Sequence, residues 1–570
     1  MASEYDFIIV GSGPAGSALA YVLGNSPKKP KILLLEAGGP NDDRNLRVDG
    51  QRWLTFLNKD MNWGYQTVPQ KHAGNRTLDY SRGKGLGGSS AINFGVFTIG
   101  ASGDYDEWAR LVDDDAFSWP EMQARLKKLE TFHRQVPPGI NASTYASPLA
   151  SNHGSSGPLH VSYAAEWESD LPPLLSAFHS AGYPLNPDHN SGNPLGMSVL
   201  ISSAHAGLRS TARDLLLSLP PNVAIQTNTT VRRLVFSPTD PTLAIGVETT
   251  TGARLLAAKE VLLAAGALNS PHILMHSGIG PPDQLAKFNI PLVHPSPEIG
   301  SNLRDHAFAP LVYRRPPGSP RSDRAQFYHP ANQPLRDAAL AQWQTDGTGP
   351  WATYACELGM GYFKLPSLAT TPEFLALPPD VQAHLNRPTV PHYEVLTHFP
   401  VHWFAPELFP EGDDYEYAAL LVFLYNAQAK GEARLQSADA AVPLGFDPGF
   451  LGEGFDRRVA VEAMREVMGF AEGEGWEVRA APEGKGWEEV EGYWRGAVSS
   501  SWHMTGTVGM GADGGEKPVD GDFRVRGVRG VRVADMSVVP VLASGHTQAV
   551  AYVTGWTCAD KIVKEYGLDQ

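Results

Sequence analysis

A glycine-rich turn and one carboxylate near the amino end have the residue types and spacing that suit nucleotide binding. The turn, GSGPAG, places Gly11, Gly13 and Gly16 directly after the apolar run Tyr5–Val10. Gly11 allows a tight turn, Gly13 lets the backbone approach a pyrophosphate, and Gly16 permits close packing of a helix on a strand. Glu36 ends a second apolar run about 20 residues further on, where a carboxylate accepts ribose hydroxyls. The spacing therefore predicts a dinucleotide site, and a carboxylate at this position favours FAD or NAD over NADP.

A second glycine-rich segment runs from Ser81 to Phe97 and reads SRGKGLGGSSAINFGVF. Together with the upstream NWGYQTVPQ and the downstream ASGDYDEWARL, it resembles the first signature of the glucose-methanol-choline (GMC) oxidoreductases, which are FAD enzymes. GALNSPHILMHSGIGP resembles the second signature of that family, and IGSNLRDH follows it. HMTGTVGMG and VADMSVVPVLASGHTQAVAYVTGWTCADKIV close the chain, so the likeness spans both ends.

The resemblance implies that FAD is the cofactor and that it lies along the second glycine-rich segment. Small residues there let peptide groups approach a flat ring, because no large Cβ intervenes. Relatives that tether FAD covalently carry a histidine at the position of Ile92, and isoleucine has no nucleophilic atom, so the resemblance implies a non-covalent flavin. The residues expected to contact FAD are Gly11, Gly13, Gly16, Glu36, Arg82, Gly87, Gly88, Ser89, Asn93, Val231, Asp535, Thr547 and Gln548.

Two histidines near the carboxyl end occupy positions where the family carries its reacting groups. His503, in SSWHMTGT, matches the histidine nearest the reacting nitrogen of the flavin, and His546, in SGHTQ, stands where relatives have histidine or asparagine. Alcohol oxidation needs the hydroxyl proton removed as a hydride leaves the carbon, and a neutral imidazole can accept that proton. His503 is the expected base, and His546 is expected to hold and polarise the hydroxyl. Phe94 and Trp502 stand where the aryl-alcohol oxidase branch has aromatic cavity residues, which implies a flat, apolar substrate.

The resemblance predicts FAD-dependent oxidation of a primary alcohol, aryl or unsaturated, to the aldehyde, with oxygen or a quinone as electron acceptor. The same family contains enzymes that hold FAD without net redox chemistry, such as hydroxynitrile lyases and a biosynthetic cyclase, and a light-driven fatty-acid decarboxylase. These activities, and a protein that only binds FAD, stay open as alternatives. A metal is not expected, because His272 and His276 in HILMH have no carboxylate between them and belong to the second signature. The GxSxG nucleophile elbow of hydrolases is absent from the sequence.

The elements that must position these residues predict an α/β fold with a Rossmann-like FAD-binding domain and an α+β substrate domain. The segment from Tyr5 to Glu36 has the pattern strand, turn, helix, strand. The resemblance implies that the FAD-binding domain is discontinuous and that the substrate domain is built on an antiparallel sheet. The predicted ranges are 1–155, 200–310 and 500–570 for the FAD-binding domain, and 156–199 and 311–499 for the substrate-binding domain.

Other segments have local patterns that predict secondary structure. HVSYAAEW, YEVLTHFPVHWF and YAALLVFLYN have the β-branched and aromatic content of strands in the second domain. Residues 136–158 and 314–337 are rich in Pro, Gly, Ser or charge and predict long loops. The segment after His546 predicts a helix through about Val563, with Gly555 as an interior weakness. Its amino end would lie beside the reacting histidines.

Composition limits the class of protein and its partners. The 570 residues are 42% hydrophobic and 19% charged, which suits a globular chain with two cores. A net charge of -15 argues against nucleic acid as a partner. The two cysteines, Cys356 and Cys558, predict neither a disulfide framework nor a cysteine metal site.

Localisation follows from apolar runs and processing signals. The longest apolar runs are far shorter than a membrane helix needs, so no membrane partner is expected. No apolar secretory leader precedes the first strand, which predicts a cytoplasmic protein as the chain stands. Asn75, Asn141 and Asn228 lie in Asn-x-Ser/Thr sequons, so the protein is secreted if a leader has been removed.

Overall fold

The computed structural model describes residues 5–320, 327–355, 358–399, 405–408 and 416–570. Two seven-stranded sheets organise these residues. The strands of both sheets, in chain order, are β1 (Tyr5–Val10), β2 (Ile32–Leu35), β3 (Gly196–Val199), β4 (Val223–Gln226), β5 (Val231–Phe236), β6 (Ala244–Thr249), β7 (Arg254–Leu263), β8 (Ala307–Arg314), β9 (Gly359–Phe363), β10 (Tyr393–Thr397), β11 (Tyr417–Leu424), β12 (Glu477–Ala480), β13 (Ser499–Ser500) and β14 (Val531–Val533). The longer helices are α1 (Pro14–Asn25), α2 (Ser102–Val112), α3 (Trp119–Leu129), α4 (Leu171–Ser180), α5 (Gly266–His276), α6 (Gln333–Asp346), α7 (Gly454–Gly473), α8 (Trp487–Ala497) and α9 (Gln548–Glu565).

The first sheet has a parallel centre. Its order is β4–β2–β1–β7–β6–β5, and β14 also pairs with β7. β4, β2, β1, β7 and β14 run parallel, whereas β6 and β5 are antiparallel additions. β1 and β2 are almost fully buried runs of apolar residues, as expected for parallel strands that are covered on both faces. The predicted order of strand, glycine turn, helix and strand at the amino end is confirmed.

The second sheet is antiparallel and has the order β12–β8–β11–β10–β9–β3, with β13 also paired to β8. The segments YEVLTHFPVHWF and YAALLVFLYN supply β10 and β11, although residues 400–404 of the first lie outside the described residues. HVSYAAEW was wrongly assigned to this sheet. Only the first residues of this segment are extended, and they belong to the strand Leu159–Ser162. That strand pairs in parallel with Glu130–His133 as a separate two-stranded sheet. The predicted α/β fold is confirmed, and the exact domain boundaries stay a prediction.

Two further expectations need correction. The loop predicted over residues 314–337 ends early, because α6 begins at Gln333 with a proline in its first turn, a position that tolerates proline. Residues 321–326 of that loop lie outside the described residues. Gly555 is not a weak point of α9, because a Cβ there would overlap the carbonyl oxygen of Ala15. Its bare backbone lets α9 pack closely on α1.

No helix in the described part of the chain is long and apolar enough to cross a membrane. Cys558 is a buried free thiol, and Cys356 lies outside the described residues. The asparagines of the three sequons are exposed.

Candidate active site

A cavity of about 960 Å³ has walls from both sheets. Val10 and Leu35, at the carboxyl ends of β1 and β2, form part of one end. The face of the antiparallel sheet contributes Phe308, Leu396 and Phe423 at the other. Ligands of open α/β sheets bind outside the carboxyl ends of the parallel strands, so the cavity lies where the fold is expected to bind a ligand.

The two glycine-rich segments pack against each other along this cavity. A Cβ on Gly88 would come within 2.6 Å of the Cα of Gly13, and Gly88 has a φ of +52°, in the left-handed region. A Cβ on Gly16 would overlap the carbonyl oxygen of Gly11, so Gly16 is needed where α1 leaves the turn. The backbone is therefore bare at these positions because two chain segments meet there.

The Glu36 carboxylate joins the two segments. Its Oε2 accepts hydrogen bonds from the backbone N–H and the hydroxyl of Ser12, at 3.0 and 2.6 Å. Its Oε1 accepts from the backbone N–H groups of Gly38 and Gly85, both at 2.9 Å. Glu36 thus organises the wall of the cavity, and its contact with a ribose stays a prediction.

Most of the residues predicted to contact FAD lie together in the cavity wall. Gly16 and Gly87 do not line the cavity; Gly87 lies in the turn directly before Gly88 and has a φ of +94°. The residues that do are Gly11, Gly13, Glu36, Arg82, Gly88, Ser89, Asn93, Val231, Asp535, Thr547 and Gln548.

The wall has the chemistry that a flat dinucleotide requires. Pro14 and Gln548 begin α1 and α9, and both residues line the cavity. The amino end of a helix presents N–H groups and partial positive charge, which suits a pyrophosphate or a flavin that gains negative charge on reduction. Bare glycine backbone and two such helix ends fit FAD. Ile92 also lies in the wall and is 3% exposed.

His503 and His546, the two histidines of the carboxyl-terminal motifs, both line the cavity and lie close together. Their ring centroids are 4.8 Å apart and the rings are nearly perpendicular, at 77°. Burial lowers the pKa of His503 well below its usual value, and the neighbouring His546, His306 and Arg82 lower it further. The lowered pKa favours the neutral form of the His503 imidazole.

The Nδ1 nitrogen of His503 contacts two residues that sequence reasoning did not assign to the site. His503 Nδ1 lies 3.1 Å from Ser501 Oγ and 3.0 Å from His306 Nδ1. Ser501 donates its hydroxyl proton to the carbonyl oxygen of His306 at 2.7 Å, so its oxygen can accept from a protonated His503 Nδ1. His306 belongs to the IGSNLRDH motif, which was the signal that could have identified it.

Asp305 fixes the backbone of the same histidine. Its Oδ1 accepts from the His503 N–H at 2.7 Å, and its Oδ2 accepts from the Ser500 hydroxyl. Burial raises the pKa of Asp305 to about 7, against the effect of these hydrogen bonds. The Asp305 carboxyl thus anchors the turn that presents His503.

His546 has a buried acidic partner, Glu394. His546 Nε2 lies 3.2 Å from each carboxylate oxygen of Glu394, which has no solvent exposure. Tyr425 donates its hydroxyl to Glu394 Oε2 at 2.7 Å. Glu394 lies in β10 directly opposite Phe423 of β11, a cavity residue, and opposed residues share one face of a sheet. The segment YEVLTHFP predicted a strand but nothing about this carboxylate.

Aromatic rings form the wall beside the histidines. Phe94 and Trp502, the predicted substrate residues, have ring centroids 5.7 Å apart, and Phe56 lies 5.2 and 5.0 Å from them. The Trp502 indole N–H donates to Asp79 Oδ1 at 2.7 Å, and Trp502 has a φ of +59°, a strained backbone for a bulky residue. Sequence reasoning missed Phe56, because no motif marks it.

The predicted absence of a metal concerned His272 and His276. Their rings contact edge to face at 4.5 Å, and His272 Nε2 donates to the Val442 carbonyl oxygen at 3.1 Å. A nitrogen that donates its proton to a carbonyl is not free to bind a metal. A different group, Glu168, Asp170 and His398, brings three possible ligands together in the described residues, but Arg315 donates to Asp170 at 2.7 Å and already supplies a positive charge there.

Comparison with known proteins identifies the fold and its relatives. The amino-terminal and carboxyl-terminal models of the GMC oxidoreductase family match residues 5–308 and 427–555. The oxygen-dependent choline dehydrogenase of Escherichia coli is 31% identical over 577 residues, covering 98% of this chain and 95% of that protein. Formate oxidase of Aspergillus oryzae, in a structure whose subject is FAD modification, has a TM-score of 0.86 with 25% identity over 99% of each chain. A fungal aryl-alcohol oxidase has the same fold, with a TM-score of 0.84, 23% identity and 100% of each chain covered.

Proposed function

Because the chain belongs to the GMC oxidoreductase family, we propose that it uses non-covalently bound FAD to oxidise a primary alcohol to the aldehyde, with His503 as the base. The observation that carries this proposal is the pair of imidazoles, His503 and His546, at 4.8 Å in the wall of a partly aromatic cavity. Bound FAD supplies the acceptor for the hydride that leaves the alcohol carbon. The protein must remove the hydroxyl proton and hold the alcohol.

His503 takes the hydroxyl proton at Nε2. Ser501 commits its own proton to a carbonyl oxygen, which favours the His503 tautomer that carries hydrogen on Nδ1. That tautomer leaves Nε2 with a free lone pair, and His503 Nε2 has no hydrogen-bond partner among the described residues. The lowered pKa of His503 keeps this lone pair available.

His546 orients the alcohol through a hydrogen bond. Because its Nε2–H is directed at the Glu394 carboxylate, Nδ1 is the nitrogen left for the substrate. A hydrogen bond between this Nδ1 and the hydroxyl group holds the alcohol in place for His503. The two neighbouring imidazoles thus have different partners and different roles.

The substrate proposed is an aryl or unsaturated primary alcohol. Phe56, Phe94 and Trp502 offer apolar and stacking surface, which adds about 0.5–1.5 kcal/mol per aromatic pair beyond area burial. Of the described residues that line the cavity, Glu36 and Asp535 are the acidic ones, and both belong to the predicted FAD wall. A quaternary ammonium such as choline would therefore rely on the aromatic faces alone, so a neutral substrate is favoured.

The flavin is proposed to be non-covalent because Ile92 offers no atom that could form a bond to it. Ile92 packs with Met61 and Ala91 in a small apolar cluster. A histidine tether is thus replaced by a side chain that contributes packing.

The test is an anaerobic panel of alcohols followed by flavin absorbance in the dark. Benzylic and allylic primary alcohols are expected to bleach the flavin, with choline, glucose and saturated alcohols slower. Turnover of a cyanohydrin with a flavin that stays oxidised would instead support a lyase, and turnover only under light would support a decarboxylase. Bleaching by choline in preference to the aryl alcohols would overturn the substrate proposal and leave the reaction class intact. Oxygen and a quinone dye, compared under steady state, decide the electron acceptor.

A further inference from the structure

Three histidines form a surface cluster outside the cavity: His160 and His205, which are exposed, and His133, which is half-buried. His133 ends the strand Glu130–His133, and His160 lies in the parallel strand Leu159–Ser162. His205 lies in the short strand Ala204–His205, whose Ala204 carbonyl oxygen accepts from the Ser162 hydroxyl at 2.8 Å. Three adjacent extended segments therefore present the three rings to one surface.

The rings are in direct contact. His133 Nε2 lies 2.9 Å from His160 Nδ1, so one of these nitrogens donates and the other accepts. The His133 and His205 rings stack at a centroid distance of 3.5 Å and an angle of 9°. Among the described residues, the side-chain hydrogen bonds and ring contacts of this cluster join only its own members.

Two of the three imidazoles, His133 and His205, have lowered pKa values. Burial lowers the pKa of His133, and the neighbouring His205 and His160 lower it further. Burial and His160 also lower the pKa of His205. Three adjacent imidazoles cannot all carry protons without mutual repulsion, and each neutral ring offers a lone pair.

We propose that His133, His160 and His205 form a surface binding site for a divalent transition-metal ion of the Zn²⁺, Cu²⁺ or Ni²⁺ class. Imidazole suits these ions, and zinc sites with three histidine ligands keep a fourth position for water. Tetrahedral zinc holds imidazole nitrogens about 3.3 Å apart, so the His133–His160 pair has to open by only about 0.4 Å. The ring that donates in this pair must also shift its proton to its other nitrogen, which frees a lone pair for the metal. His205 must turn from its stacked position, and it is free to do so because it is exposed. The exposed face leaves room for the water ligand.

No spacing in the sequence predicts this site, because the three histidines are separated by whole strands and loops. The site is also independent of the proposed alcohol oxidation, because none of the three residues lines the catalytic cavity. Its role is binding, and a metal that binds only the folded chain stabilises it by mass action.

The test uses the full-length, untagged, FAD-loaded protein after treatment with EDTA and dialysis. Zn²⁺ and Ni²⁺ are titrated separately by calorimetry, and the midpoint of thermal unfolding is measured with and without Zn²⁺. One strong site per chain is expected, and His133→Asn, His160→Asn and His205→Asn should each weaken binding by more than about tenfold. His179→Asn, an exposed histidine of α4 outside the cluster, is the matched control and should bind like the parent.

The flavin spectrum and circular dichroism of each variant check that it is folded. Absence of strong binding in the parent would overturn the proposal. Equal binding in the parent and in all three folded cluster variants would overturn it as well, because the metal would then lie elsewhere. Loss of binding in only one or two of the variants would refute a three-ligand site.

Discussion

Replacing Glu394 by glutamine tests whether the acid behind His546 matters to the chemistry. The substitution keeps the size of the side chain and removes its charge. Tyr425 can still donate to the amide oxygen, so the packing of β10 against β11 is preserved. What is lost is the carboxylate that lies 3.2 Å from His546 Nε2 through both of its oxygens.

The expected loss follows from the type of hydrogen bond. A hydrogen bond to a charged group contributes about 1.5–3 kcal/mol. If that energy holds His546 in the orientation that binds the alcohol, Glu394→Gln lowers kcat/KM by about 10- to 150-fold. We expect the free energy of this hydrogen bond to lie towards the upper end of that range because Glu394 has no solvent exposure.

The assay is anaerobic stopped-flow reduction of the flavin by an aryl alcohol, together with steady-state kcat and KM. In the His546→Asn background, Glu394→Gln should cause little further loss, because the carboxylate acts through the imidazole. Glu466→Gln is the matched control, since Glu466 also accepts a tyrosine hydroxyl, from Tyr393 at 2.6 Å, but makes no hydrogen bond to His546 or His503 among the described residues. Parent-like flavin reduction in a folded, FAD-loaded Glu394→Gln would refute the reasoning, as would independent, additive losses in the double variant.

Three further predictions concern the histidines and the flavin. His503→Ala should lower kcat and kcat/KM together by about 10²–10⁴ with FAD still bound, and an unchanged kcat in the folded variant would contradict the role of His503 as base. In the parent, kcat/KM should stay level as pH falls through 6.5, because the pKa of His503 lies well below that value. Acid precipitation should release all of the flavin from the polypeptide, since Ile92 cannot tether it, and fluorescence that stays with the precipitated chain would disprove this. Burial alone would lower the pKa of His153, but hydrogen bonds with Asp188 and Glu130 raise it to about 9. The stability that protonated His153 contributes is therefore complete below pH 6.5 and is lost as pH rises through 9. The unfolding temperature should fall over that interval in the parent and much less in His153→Gln.

The amino-terminal part of the fold was predictable because its signals are local. The apolar runs of β1 and β2 and the glycine turn between them lie within one short segment, and each residue type has a direct backbone reason. The strand at Leu159–Ser162 shows the limit of such signals. The β-branched and aromatic residues of HVSYAAEW indicated a strand, but the strand covers only its first residues, and its partner, Glu130–His133, has no signal in that segment.

The candidate site was predictable only where a motif surrounds the residue. His503 and His546 lie in motifs that resemble a known family, and the structure brings their rings together. Glu394 is 152 residues before His546 in the chain, and a single glutamate in an apolar strand has no distinctive sequence signal. The contact exists because β10 pairs with β11 in a register that places Glu394 opposite Phe423, on the sheet face that carries cavity residues.

The two imidazoles have different partners because different elements surround them. His503 is held by Ser501 and His306 in a buried setting that opposes a positive charge. His546 lies just before α9, and its imidazole contacts the Glu394 carboxylate of β10. The division of roles between the two histidines therefore depends on the antiparallel sheet as much as on the histidines. Glu394→Gln should weaken the hold of His546 on the alcohol while leaving His503 in place.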